Sequence, residues 1–362
     1  MRRYKTYING EWFEGTSGIV LRSVDPSNNK ELGEIVQNSK EDVEYAIESA
    51  SRSFYKTREW RDLDVQQRND KLLKIADMIE SEIDEIAKTE SMDNGKPLRE
   101  AQADVDDAVH CFRYYAGLIR TPSGQTYNVN SNFGNMHSYT VKEPVGVCAL
   151  ITPWNFPFLM SVWKIAPALA AGNSIIFKPS SETVLSALKL FEILDKCDLP
   201  KGTANLVIGS GSTAGNLLAE SKKVDMITFT GSTSVGQGIM RAAAGNVKKI
   251  GLELGGKSPN IVFADTDIDK TVEWVMMGIF LNQGEVCCAG SRLIIEKSIK
   301  DKFLKKLVER TDKLTLGAPL DNPDMGPLIS KKHMQDVLGY IEKGKAEGAK
   351  LLCGGHKCKD DD

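Results

Sequence analysis

From Val145 onward, short apolar runs rich in β-branched residues alternate with amphipathic stretches. VGVCALI, NSIIFK, ANLVIG, DMITFT, KIGLEL and PNIVFA read as strands. The spacing between them predicts helices over 156–171 and about 183–196, a short one ending near 220, and another over 234–244. Strands and helices in this alternation form βαβ units around a parallel sheet. Such sheets bind ligands at the carboxyl ends of their strands.

The first part of the chain has another rhythm. Residues 1–36 read as short strands and turns, with an Asn-Gly hairpin signal inside YINGEWF. Ser39 is placed to cap a helix in which Val43, Ala46, Ile47 and Ala50 recur at helical spacing. A longer helix is predicted over 65–91, its buried stripe formed by Leu72, Ile75, Ala76, Ile79, Ile83, Ile86 and Ala87. Asn94-Gly95 and Pro97 end it, and another helix follows over 98–119. These charged-faced helices are expected to be wall rather than site. Residues 123–144 are polar and turn-rich and read as a two-stranded arm. A lone hairpin is marginal, so the arm is expected to pack on the rest of the fold or on a partner subunit.

At 362 residues the chain is long enough for two cores. A net charge of −3 without a long basic run argues against nucleic acid as partner. The N-terminus has no apolar signal region, and the most apolar stretch, 156–172, is broken by Lys164 and Pro167 and too short for a bilayer, so no membrane partner is expected. The seven cysteines are irregularly spaced and odd in number, which points to free thiols and a cytoplasmic, reducing compartment. Cys353, His356 and Cys358 lack a fourth ligand nearby and read as a surface loop, so no metal is expected.

Candidate chemistry falls at the strand ends. GSGSTAG (209–215) and GSTSVG (231–236) suit close approach of a phosphate, or mere turn geometry. Gln237 after Gly236 excludes a P-loop, and the first loop misses the G-x-G-x-x-G spacing by one residue. Lys178, ending a strand, is either solvated or set to meet a ribose or phosphate. Asn155, before a helix, is either its N-cap or an oxyanion donor. Phe156, Met160 and Trp163 share one helical face, as core or as the wall of a tunnel. Glu253 ends an apolar strand, where burial would raise its pKa and suit it to proton abstraction; a salt bridge is the alternative. Cys287 and Cys288, in LNQGEVCCAGSR, sit in a loop of small residues that would present one thiol. A thiolate nucleophile there needs N–H dipoles to depress its pKa, because no histidine is near in sequence.

ITPWNFP, FKPS, FTGSTSVG, LELGGKSPN and FLNQGEVCCAGSR, in this order and spacing, give the chain its resemblance to the NAD(P)-dependent aldehyde dehydrogenases, in the branch with betaine-aldehyde and retinaldehyde enzymes. The resemblance spans essentially all 362 residues. It implies a Rossmann-like α/β cofactor domain from 1–122 and 145–254, a β-hairpin oligomerisation arm at 123–144, and the beginning of a second α/β catalytic domain at 255–362. It implies that Cys287 is the nucleophile and Cys288 a bystander, that Asn155 and the Cys287 N–H hold the oxyanion, and that Glu253 activates water. Ile151, Thr152, Pro153, Trp154, Lys178, Ser181, Gly211, Gly231, Ser232 and Leu254 are the implied NAD or NADP contacts. Phe156, Met160 and Trp163 become tunnel wall, the substrate a small aldehyde, and the assembly a homo-oligomer.

Three departures qualify this. Ser181 stands where many members carry a glutamate that binds the ribose hydroxyls, which opens the site to NADP, with Glu182 next door as partial substitute. Glu285 replaces a common glutamine and is expected to be tolerated. Family members also continue well beyond GGHKCKDDD, so the expectation is a truncated chain. The competing readings are an inactive remnant that binds nucleotide or joins full-length homologues, and a thiol hydrolase working without redox chemistry.

Overall fold

The computed structural model describes residues 2–358. The chain opens with β1 (Arg3–Tyr4), β2 (Thr6–Ile8), β3 (Glu11–Phe13), β4 (Val20–Val24) and β5 (Glu31–Val36). Asn9 and Gly10, at φ 56° and 78°, make the two-residue turn between β2 and β3, with the left-handed backbone such hairpins require. Four helices follow: α1 (Lys40–Arg52), α2 (Val65–Ser81), α3 (Ile83–Asn94) and α4 (Leu98–Ile119). Ser39 caps α1 reciprocally with Asp42, each side chain accepting from the other's backbone N–H. The single helix expected over 65–91 is two. Glu82 leaves helical geometry at φ −114° and ψ 16°, and the kink lets both segments pack on α4. Ile83, beside the break, is only partly buried, while Ile79 and Ile86 are sealed.

The hairpin of β6 (Thr126–Ser131) and β7 (Gly134–Tyr139) has every residue exposed, so within this chain it does not bury itself against the fold. The alternating region then runs β8 (Val147–Ile151), α5 (Pro157–Ala170), β9 (Ser174–Lys178), α6 (Leu185–Lys196), β10 (Ala204–Leu206), α7 (Asn216–Glu220), β11 (Met226–Gly231), α8 (Thr233–Ala243) and β12 (Lys249–Leu254). Its sheet has the order β12-β11-β8-β9-β10-β2-β3. The five strands from β12 to β10 are parallel, and the β2–β3 hairpin adds an antiparallel edge. Leu150, Ile175, Phe177 and Leu206 face one core with α2 to α6. Ala149, Ile151, Ile176 and Phe229 face the other with α1, α7 and α8. Burial of both faces explains why these strands read as unbroken apolar runs, and each sealed Leu, Ile or Phe contributes roughly 1.5–3 kcal/mol.

PNIVFA does not close this sheet, contrary to the sequence reading. Gly255 and Gly256 end β12 and the chain leaves. β13 (Pro259–Val262) pairs in parallel with β14 (Arg292–Ile295) across α9 (Ile268–Phe280). This unit has its own core of Val262, Val272, Val275, Met276 and Phe303, with α10 (Lys300–Thr311) and α11 (Lys331–Ala346) after it. Among the described residues no helix is long and apolar enough to cross a membrane, and no three His, Cys, Asp or Glu side chains are grouped to hold a metal ion.

Candidate active site

Two helices leading away from the strand ends lack a capping side chain of their own, and α3 supplies both. Phe156 stands at the N-cap of α5 and cannot accept a hydrogen bond through its side chain. The fully buried Glu90 accepts the Phe158 N–H instead, at 3.2 Å. Val184 is equally mute at the N-cap of α6, and Asp93 accepts the Leu185 N–H at 2.9 Å. These carboxyls satisfy orphan helix donors at the positive dipole end. Burial pushes both up, Asp93 to about 7. Lys96 lies sealed beside them. Its Nζ is 2.5 Å from Asp104 and 3.6 Å from Glu90, and 4.2 Å from the centre of the Phe156 ring. The helix α3 thus anchors the starts of both helices that leave these strand ends.

Asn155 is not an N-cap, which removes the bland alternative. Its Nδ2 donates to the Glu285 carbonyl at 2.7 Å, and Asn282 Nδ2 donates to the Asn155 carbonyl at 2.8 Å. The Asn155 and Cys287 loops are thus bonded together across 130 residues of chain. Gly256 N–H donates to the Cys287 carbonyl at 3.1 Å, which ties the end of β12 to the same loop. Cys287 and Cys288 are both exposed free thiols. The depressed thiol that the sequence argument called for is not found. Partial burial and the neighbouring Cys288 push the Cys287 thiol up.

Glu253 also differs from expectation. β12 is an edge strand, and Glu253 is exposed instead of sealed in apolar surroundings. Glu253 pairs in register with Thr230, on the face of the sheet that carries Thr228. Lys164 of α5 donates to Thr228 Oγ1 at 2.8 Å; burial pushes its ammonium down to about 8, and the Glu253 charge opposes that shift.

A cleft of about 610 Å³ opens at the strand ends, lined by Ile151, Thr152, Pro153, Trp154, Lys178 and Ser181, and across from them by Gly211, Gly231 and Ser232. Lys178 is buried, its Nζ bonded to the Pro179 carbonyl at 3.0 Å, and burial pushes it down to about 8. Ser232 caps α8, so that helix's N-terminus borders the cleft. Nothing stands within 4 Å of where side chains at Gly211 or Gly238 would begin, so glycine leaves open space there. Ser181 donates to the Gly209 carbonyl. Glu182 is exposed and is not among the residues lining the cleft. Leu254 is not in the lining either; its side chain packs over Gly236 of α8. On the outer face of α5, Phe156 and Met160 are partly buried, while Trp163 is exposed beside Cys111, Tyr114 and Tyr115 of α4.

Sequence reasoning missed several participants. Glu285, expected only to be tolerated, is buried. Its Oε1 accepts the Ile329 N–H at 3.0 Å and lies 3.6 Å from His333 Nε2, while its Oε2 is buried without a partner. Burial pushes this carboxyl up to about 8. His333 in turn meets the Trp154 ring edge-on at 5.2 Å.

A parallel α/β sheet with a nucleotide-sized cleft at its strand ends, beside a cysteine loop bonded to an asparagine amide, defines a class of cofactor-dependent enzymes. Comparison with known proteins narrows it: the aldehyde dehydrogenase family profile matches residues 12–362. The chain belongs to the aldehyde dehydrogenase family. It is 45% identical over 355 residues to the betaine aldehyde dehydrogenase of Bacillus subtilis, covering 98% of this chain and 72% of that protein. Human retinal dehydrogenase 2 is 42% identical, over 97% of this chain and 68% of its own. The crystal structure of Staphylococcus aureus betaine aldehyde dehydrogenase in complex with NAD+ superposes with a TM-score of 0.95 at 41% identity, covering 99% of this chain and 70% of that one.

Proposed function

We propose that the chain oxidises an aldehyde to its carboxylic acid with reduction of NAD or NADP. The observation that carries this reading is the hydrogen-bonded union of the Asn155 loop, the Cys287 loop and the end of β12 beside the cleft. Cys287 Sγ forms a bond to the carbonyl carbon, and the oxygen takes up negative charge. The second N–H of Asn155 Nδ2 and the Cys287 N–H receive that charge, the asparagine being held by its bond to the Glu285 carbonyl. When bound, the cofactor supplies the hydride acceptor that turns the thiohemiacetal into a thioester. Glu253 takes a proton from water, whose oxygen attacks the thioester and releases the acid and the thiol. The thiolate is the attacking form and the Cys287 thiol is pushed up, so attack is expected to quicken as pH rises.

The cleft fits the cofactor. Of the residues lining it, Lys178 would meet the adenosine ribose, Gly231 and Ser232 at the N-terminus of α8 would hold the pyrophosphate, and Ile151 to Trp154 would hold the ring. Serine at 181 brings no charge against a 2′-phosphate, so NADP is admitted with NAD. In the same reading residues 1–122 and 145–254 form the cofactor-binding domain and 255–362 belong to the catalytic one. Phe156, Met160 and Trp163 guide the aldehyde, and the exposed hairpin at 123–144 joins copies of the chain. The free thiols suit the cytoplasm.

The test is aldehyde-dependent growth of reduced-nicotinamide absorbance. Cys287→Ala is expected to lower it by about a thousand-fold or more, and Cys288→Ala to retain it. Cofactor binding without turnover would favour the nucleotide-binding reading, and ester hydrolysis indifferent to cofactor the thiol hydrolase.

A further inference from the structure

We infer that Asn282 and Glu100 are positioning residues that hold the turn before Cys287 so that the Asn155 amide and the nucleophile loop are fixed against each other. The inference rests on the reading above for the roles of Cys287 and Asn155. Three consecutive residues in this turn are left-handed: Asn282 at φ 48°, Gln283 at φ 57° and Gly284 at φ 78°. Only the last is glycine, and the first two are buried. Such backbone persists in L-residues only where the surroundings over-determine it.

The surroundings here are specific. Glu100, in the first turn of α4, accepts the Asn282 N–H through Oε2 at 2.8 Å. Asn282 Nδ2 donates to the Asn155 carbonyl at 2.8 Å and approaches the Glu285 carbonyl at 3.4 Å. Asn155 Nδ2 returns a bond to that same Glu285 carbonyl at 2.7 Å. Each asparagine amide therefore grips the other's loop, and Glu100 anchors the pair to α4, which packs on α2, α3 and α5. Gln283 Nε2 secures the far side on the Pro327 carbonyl at 3.2 Å. Neither Asn282 nor Glu100 is placed to touch substrate through these contacts; they act through Asn155 and the Cys287 loop.

The experiment is iodoacetamide alkylation of Cys287 in the full chain carrying Cys288→Ser, followed by mass spectrometry between about pH 6 and 10. Asn282→Gly accepts the left-handed backbone without the amide, and Glu100→Ala removes the acceptor. Each is expected to change the alkylation rate about five-fold and to move the midpoint of the pH profile. Glu100→Gln keeps an acceptor oxygen and is expected to stay within about two-fold of the parent. Adding Asn155→Ala to either disruptive variant is expected to change the rate by less than the product of the single effects, since the three contacts converge on the same pair of loops. Parental pH profiles in the disruptive variants, or effects that simply multiply with Asn155→Ala, would overturn the inference. Should Asn282→Gly fail to fold, Glu100→Ala against Glu100→Gln carries the same decision. The readout needs no turnover. Absent aldehyde oxidation with intact coupling would sink the proposed reaction alone, and intact oxidation without coupling would sink the positioning role alone.

Discussion

Glu285 lies two residues before Cys287 with its carboxyl closed off from water and one oxygen without a partner. Its pKa is pushed up to about 8, so the folded chain holds a proton there that the unfolded chain releases near the ordinary carboxyl value. The unfolded state then binds fewer protons between those two values, and stability falls as pH rises through that window. The slope for one such proton is about 1.4 kcal/mol per pH unit. Glu285→Gln cannot ionise and is expected to unfold with a shallower pH dependence between about pH 5 and 8 by up to that amount; identical slopes in denaturant titrations would contradict the assignment. At this scale Asn155 and Lys178 could be singled out from short motifs at strand ends, and Cys287 from the loop of small residues between α9 and β14. Glu285, Asn282 and Glu100 could not. Their partners lie 44, 127 and 182 residues away, and no local pattern records such pairings. Glu253 was legible as a residue and misread as buried, because alternation along a strand does not say whether the strand stands at an edge.

Elements were read well where their cause is local. The reciprocal cap at Ser39, the Asn9-Gly10 turn and the helix Leu98–Ile119 all follow from neighbours within one turn. The separate pairing of β13 with β14, and the helix break at Glu82, depend on packing and were missed. Gly95 shows the difference in energy. It ends α3 at φ 95°, and a Cβ there would stand 2.8 Å from the Pro327 carbonyl oxygen and 2.9 Å from Pro26. Ser39→Ala removes one capping bond and is expected to cost about 1 kcal/mol. Gly95→Ala adds backbone strain to a clash with main chain, and about 2–3 kcal/mol is expected. Equilibrium unfolding of the two variants side by side checks the order; a milder effect at Gly95 would mean that the 326–327 segment yields.

For the whole molecule, the cores on either face of one sheet join α1 to α4 with the strands β8 to β11, and the small β13–β14 unit is bonded to them through the Cys287 loop. The hairpin of β6 and β7 contributes nothing to either core. Replacing residues 126–139 with a short glycine-serine linker is therefore expected to leave the chain's own unfolding free energy within about 0.5 kcal/mol, and, on the proposed joining role of the arm, to shift sedimentation toward the monomer. An unchanged association state would remove the arm from the assembly. The six-pair ladder between β11 and β12 has a last consequence. Glu253 shares a face with Lys164 only because its strand is in frame, and the leucines on either side belong to the α8 side. One extra codon within 249–253 would swing the acid to the opposite side of the sheet and deliver a leucine in its place. The same codon within 244–248 would be absorbed by the turn. A scan of single-residue insertions should thus meet an abrupt frontier of tolerance at Lys249.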